Sequence, residues 1–124
     1  MRQLWREGAR VNKFNARRVT FDGITFDSQG EFNRYLDLRM LERAGEISGL
    51  ECHPKFELQP AFVDRSGEKH RTIHYEADFR YWPREGPVVI EECKGYWTPA
   101  ARLKLKLFLY RYQDDDMEYR IVKL

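Results

Sequence analysis

The chain has 124 residues, with 22 Lys+Arg, 20 Asp+Glu and 3 His for a formal charge of +2, and it is 42% apolar and 15% aromatic. That length fits one domain around a single core, and that apolar share excludes a disordered chain. The longest unbroken apolar run, Leu107-Phe108-Leu109-Tyr110, falls far short of the roughly 20 residues of a membrane helix.

The N-terminus lacks the apolar stretch of a signal peptide, so a cytoplasmic protein with no membrane contact is expected. Cys52 and Cys93 are too few for a disulfide framework and are expected as free thiols. Residues 1–18 carry six bases, among them Arg2, Arg6, Arg10, Lys13, Arg17 and Arg18, against the single acid Glu7. They read as a basic arm ahead of one domain over 19–124. Such an arm suits nucleic acid phosphates, and a frayed, solvated terminus accounts for it equally well on charge alone.

The first element, 20–26, alternates apolar and polar residues around Asp22-Gly23 and predicts a small hairpin. Ser28 followed by Glu31 has capping-box spacing, so a helix is expected over about 28–44, with Phe32, Tyr35, Leu36 and Met40 on its apolar face, Leu38 and Leu41 widening it, and Gly45 as its stop. Phe56 and Leu58, with Cys52 as a further candidate, suggest a strand ending near Gln59-Pro60, continued after a bend by Ala61-Phe62-Val63. After a turn at 64–68, residues 71–82 alternate with Ile73, Tyr75, Ala77, Phe79 and Tyr81 on one face. Arg84-Glu85-Gly86 turns the chain into a buried strand led by Val88-Val89-Ile90. Thr98-Pro99 marks a helix start running to about Tyr112, although Leu103, Leu105, Leu107 and Leu109 keep a competing strand period. A turn at Asp114-Asp115-Asp116 precedes a last strand at 119–122. The order is helix, three strands, helix, strand: an α/β domain on a mixed sheet.

The chemistry concentrates on the hairpin from 71 to 94. With Gly86 as the left-handed turn residue, Asp78 stands opposite Glu92, and Lys94 shares their face while Glu91 and Cys93 point away. A four-residue turn would instead oppose Asp78 to Glu91. Adjacent carboxylates repel unless a proton or a cation lies between them. Magnesium suits a carboxylate pair beside a phosphate, and a lysine there can serve a water or developing charge, so the ingredients are those of metal-assisted phosphodiester hydrolysis. A plain salt-bridge cluster is the competing account. A zinc site from His53, His70, His74, Cys52 and Cys93 lacks any recognised spacing.

Glu31, Asp78 at the end of an alternating strand, and Glu92-Cys93-Lys94 together resemble the PD-(D/E)XK nuclease superfamily. More closely, the chain resembles small phage-encoded endonucleases of the Holliday-junction-resolvase-like kind. The similarity runs through Asn12-Lys13-Phe14-Asn15-Ala16, Phe26-Asp27-Ser28, 41–47, 54–60, Tyr75-Glu76-Ala77-Asp78-Phe79, 89–95 and Lys106-Leu107-Phe108. Ala77 stands where the superfamily has proline. The resemblance implies a restriction-endonuclease-like core in which Asp78, Glu92 and the Cys93 carbonyl bind Mg2+ or Mn2+. It further implies that Lys94 serves the attacking water and that Glu31 contacts the metal directly or through water, although the capping box alone would explain Glu31. The expected function is metal-dependent cleavage of DNA, most naturally branched DNA such as Holliday junctions in phage recombination or replication, in the cytoplasm of a bacterial host. Cleavage of another DNA structure, or DNA binding without catalysis, are the alternatives. Lys13, Arg17 and Arg18 on the arm and Lys104 and Lys106 on the second helix are the candidate DNA contacts. One site per chain and two strands to cut imply a homodimer.

Overall fold

Local sequence signals place most elements where they form. In the computed structural model, which describes residues 17–124, β1 (Val19–Phe21) and β2 (Ile24–Phe26) pair antiparallel across Asp22-Gly23. Helix α1 (Gln29–Arg43) begins at Ser28, whose Oγ accepts the Glu31 N–H at 3.1 Å, and ends at Ala44. Its buried face is narrower than the expected one, keeping Tyr35 and Leu38. Glu31, Tyr35 and Leu38 are buried, whereas Leu36, Met40 and Leu41 are exposed, two of them around a surface hollow beside Phe21.

Seven strands follow: β3 (Ile47–Cys52), β4 (Lys55–Gln59), β5 (Phe62–Val63), β6 (Lys69–His70), β7 (Ile73–Glu76), β8 (Phe79–Pro83) and β9 (Val88–Lys94). Then come α2 (Pro99–Arg111) and β10 (Met117–Lys123). Thr98 caps α2 by accepting the Ala101 N–H at 3.0 Å, with Pro99 in the first turn. Those start signals prevail over the period-two leucines, and 99–111 is helix. Among the described residues no helix is long and apolar enough to cross a membrane.

The central sheet has the order β10-β9-β8-β3, with β10 parallel to β9 and the other pairs antiparallel, so the protein is α/β with a mixed sheet. Two expectations need correction. The first central strand is β3, of which only Cys52 carries a strand signal in the sequence; Phe56 and Leu58, expected in the same strand, belong to β4, outside this sheet. The run 71–82 is also two strands, because the ladder breaks at Ala77-Asp78. β3 tolerates a positive φ at Gly49 (+65°), where an added Cβ would lie 2.9 Å from the Trp82 ring, so a side chain there would collide.

The break is a bend rather than an end. Cys52 opposes Phe79 and Lys55 opposes Glu76 without any change of register. Across the gap, Ala77 N–H donates to the Pro54 carbonyl at 3.1 Å and His53 N–H to the Asp78 carbonyl at 2.9 Å. One antiparallel ribbon thus runs through both halves. Its first half, β3 with β8, joins the central sheet, and its second, β4 with β7, folds over and packs beneath α2. Two cores result. Phe26, Tyr35, Leu38, Phe79, Tyr81 and Val89 fill the α1 side; Phe56, Leu58, Tyr75, Ala77, Ile90 and Phe108 fill the other. Tyr75 and Phe79 therefore face opposite cores, although simple alternation assigned them one face.

The α1 layer is stapled to β9 by a buried ion pair. Arg34 Nε and Nη2 each donate to Glu91 at 2.7 Å, and the Tyr81 hydroxyl donates to Glu91 Oε2 at 2.6 Å, with Glu91 wholly buried. Removing one partner of such a pair strands a charge, at a cost of about 3–5 kcal/mol, whereas replacing both by apolar groups is often neutral. Urea unfolding should show Arg34→Ala destabilised by about that amount and the double variant Arg34→Met with Glu91→Met close to the parent. A loss below about 1 kcal/mol for Arg34→Ala would demote the pair to a surface contact.

Candidate metal and catalytic centre

The bend delivers the acids. Asp78 occupies the break itself: its N–H donates to the Glu91 carbonyl at 3.0 Å, and its Oδ2 accepts the Cys93 N–H at 2.6 Å. Residues 79–81 oppose 91–89 in the register predicted for a turn ending at Gly86, whose φ is +103°. Asp78 leaves that ladder and ties both backbone and side chain to β9. Cys93 meets Asp78 through its N–H rather than its carbonyl.

Glu31 arrives from the first turn of α1 and is 3% exposed. Its Oε1 accepts the Asp27 N–H at 2.8 Å, one residue before the cap, while Oε2 lies 3.0 Å from His53 Nε2. One oxygen thus reaches back to the chain just before the helix, and the other faces His53. The ligand-capable atoms of Glu31, His53 and Asp78 all lie within 4.8 Å of one another. Like charges about 4 Å apart cost roughly 4 kcal/mol at an effective dielectric near 20, so two bare carboxylates here need a proton or a cation. The shifts divide accordingly. Burial, then the Glu31 and Glu92 charges, push the Asp78 carboxyl far above its ordinary range, so it holds a proton in the metal-free protein. Burial also works to raise Glu31, but hydrogen bonds from His53, Asp78 and the Asp27 N–H together outweigh it and hold that carboxyl low. The hydrogen bond to Glu31 raises His53 above its ordinary value against a smaller opposing effect of burial.

Glu92 and Lys94 lie next to this group on the α2 side but are engaged separately. The Tyr75 hydroxyl donates to Glu92 Oε1, and Tyr119 is hydrogen-bonded to Tyr75 at 2.9 Å. Lys94 Nζ stands 3.4 Å from Glu92 Oε2 and 5.3 Å from the centroid of the Trp97 ring, so the ammonium is held from two sides. The two residues open onto a cleft of about 570 Å³ between β7 and α2, whose cationic and imidazole lining is Lys55, His74, Lys94 and Lys104.

Of the residues singled out in the sequence, Glu31, Asp78, Glu92 and Lys94 converge at one end of the sheet, and Lys104 lines the adjoining cleft. Lys106 is exposed on α2. Arg17 and Arg18 are exposed, and Arg18 pairs with Asp27 at 3.4 Å. Lys13 lies outside the described residues. Cys52 and Cys93 are free thiols, with burial pushing Cys52 up to about 11 and Cys93 higher still. His70 is used elsewhere, bonded to Asp64 at 2.8 Å and stacked on Phe62. His53 joins this group, although the sequence raises it only within a zinc set that lacks any recognised spacing; the backbone adopts φ +56° there, an uncommon conformation that marks the bend.

A family model described as "Protein of unknown function (DUF1064)" matches residues 11–124, so the chain belongs to that family. No curated protein and no solved structure matches it.

The Glu31–His53 pair gives the metal-free protein a defined pH window. Raised His53 adds stability that is fully present below 6.5 and disappears as pH climbs through its higher folded value. Lowered Glu31 adds stability that is present above 4.5 and disappears as pH falls through its lower folded value. Unfolding free energy of chelator-treated protein should therefore carry this contribution most fully between about pH 4.5 and 6.5. By NMR, His53 should titrate above its ordinary value and fall back in Glu31→Gln. A His53 midpoint indifferent to that substitution would remove the pair.

Proposed function

We propose that this chain is a divalent-cation-dependent endonuclease that hydrolyses phosphodiester bonds in DNA, working as a homodimer on branched DNA of the Holliday-junction kind. The observation that carries the reading is the convergence of the buried Glu31 and half-buried Asp78 carboxylates with Glu92 and Lys94 at the mouth of a cleft whose lining includes three lysines. The similarity of 12–124 to PD-(D/E)XK nucleases supports the same conclusion, with α1, three central strands, α2 and β10 as the restriction-endonuclease-like core. The host-cell cytoplasm is the compartment that fits such a phage-encoded enzyme.

The donor set suits a small divalent ion: oxygens of Glu31 and Asp78, with Glu92 close by. When bound, such an ion supplies positive charge that polarises the phosphate and acidifies water. The chain's own residues supply the rest. Asp78 must give up its proton on binding, and the Cys93 N–H then steadies its carboxylate. Lys55, His74 and Lys104 attract the phosphate backbone into the cleft beside Lys94. Lys94, braced by Glu92 and the Trp97 face, positions the attacking water and stabilises charge on the phosphoryl oxygens. Water oxygen bonds to phosphorus, the bond to one sugar oxygen breaks, and that oxygen leaves with a proton.

Incubation with supercoiled, linear and four-way-junction DNA, with Mg2+, Mn2+ or chelator, should give cleavage only with a cation. Asp78→Asn should abolish cutting while DNA binding survives or tightens, because it removes a negative charge near phosphates. Lys94→Ala should lose about 100-fold or more in rate with metal binding kept. DNA binding without cleavage under any cation, or native cutting by Asp78→Asn, would overturn the assignment. Sedimentation with junction DNA should return two chains per particle. Paired cuts by a particle holding one chain would overturn the dimer.

A further inference from the structure

We propose that His53 is itself a metal ligand, so that the centre takes a first-row transition dication of the Mn2+ type in preference to Mg2+. The inference rests on the metal-dependent reading above and names what that site selects. Within the tight group only three side chains offer donors, and one of them is the Nε2 of an imidazole. The carboxylate that would make an all-oxygen set, Glu92, does not join the group, since Tyr75 takes one of its oxygens and Lys94 the other. The third donor is therefore nitrogen.

The fold fixes that nitrogen in place. His53 sits between two ladder contacts of the bent ribbon, its own N–H bonded to the Asp78 carbonyl and the next residue, Pro54, buried. Its ring lies 5.9 Å from the Phe26 ring, and its side chain is 26% exposed. His53 Nε2 and Glu31 Oε2 lie 3.0 Å apart. That separation suits two neighbouring ligand atoms of one small dication, so little movement of either residue is needed to bind it.

Donor chemistry then decides the ion. Mg2+ is a hard cation that demands oxygen and keeps much of its water, so an imidazole adds little for it. First-row dications bind nitrogen increasingly well from Mn2+ onward, and two carboxylates with one imidazole suit them.

Mn2+ binding to chelator-treated full-length protein, read from loss of the free-ion EPR signal with Mg2+ as competitor, tests the assignment without any DNA. His53→Asn keeps a residue tolerant of positive φ and replaces nitrogen by an amide oxygen; His53→Gly relaxes the backbone and removes the donor. The parent should bind Mn2+ at least about tenfold tighter than Mg2+, with pulsed EPR showing a coupled imidazole nitrogen. Both variants should lose about tenfold or more in Mn2+ affinity, keep their Mg2+ affinity within about threefold, and lose the nitrogen coupling. Unchanged Mn2+ affinity in both variants, or Mn2+ bound without nitrogen coupling while Asp78→Asn loses it, would overturn the role of His53 and leave the metal-dependent reading standing. Failure of the parent to hold either ion at millimolar concentration would bring down both.

Discussion

One antiparallel ribbon, bent once, organises this protein. Because the register is the same immediately on both sides of the bend, the change of direction is taken up at His53-Pro54 and Ala77-Asp78, and both positions carry the consequences. On one side the ribbon supplies half the central sheet; on the other it turns over to build the second core with α2. Breaking the ladder at Asp78 frees that side chain from the pleat, which is how it reaches Cys93 on β9 and Glu31 on α1 together. A straight ribbon would put Asp78 on one face of a sheet and Glu31 on the other side of it.

Concentrating acids at the bend demands compensation, and three kinds are visible. Charge is neutralised directly where Arg34 grips Glu91, fully buried beneath the α1 layer. Protons take the place of a cation where Asp78 is held neutral and Glu31 leans on His53. One hydroxyl, from Tyr75, and the Lys94 ammonium occupy Glu92, so both its oxygens are partnered outside the tight group. Three consecutive residues of β9, Glu91, Glu92 and Cys93, thus meet three separate surroundings. A strand with ligands on both faces and a neighbour along each edge has no solvent in which to dissolve its charges, so each must be answered by a specific partner.

Much of this was legible from short-range chemistry. Ser28 with Glu31, Thr98 with Pro99, Asp22-Gly23 and the Gly86 turn act within a few residues, and each specified its element and, for the β8–β9 hairpin, the register that places Asp78 beside β9. What escaped the sequence depends on distant chain. Ile47–Cys52 carries a glycine and little alternation, so only Cys52 carries a strand signal; its pairing with β8 makes the whole run a strand. The alternation of 71–82 is real on both sides of Asp78, but alternation reports a period and not the face, so a bend that exchanges cores leaves no trace in it. His53 belonged to no spacing pattern because its partners come from a helix and a strand on either side of it.

The separations along the chain also set an order of assembly. Asp78 and Cys93 are 15 residues apart and joined by a tight turn, whereas Arg34 and Glu91 are 57 apart, and β10 reaches β9 only after the α2 crossover. Closing a short loop costs less entropy than closing a long one, so the hairpin bearing Asp78 and Glu92 forms while water still surrounds both carboxylates and screens them. Repulsion is felt only when α1 lowers Glu31 onto the pair and expels that water. The electrostatic penalty therefore falls on the docking of one helix, α1, against the bend.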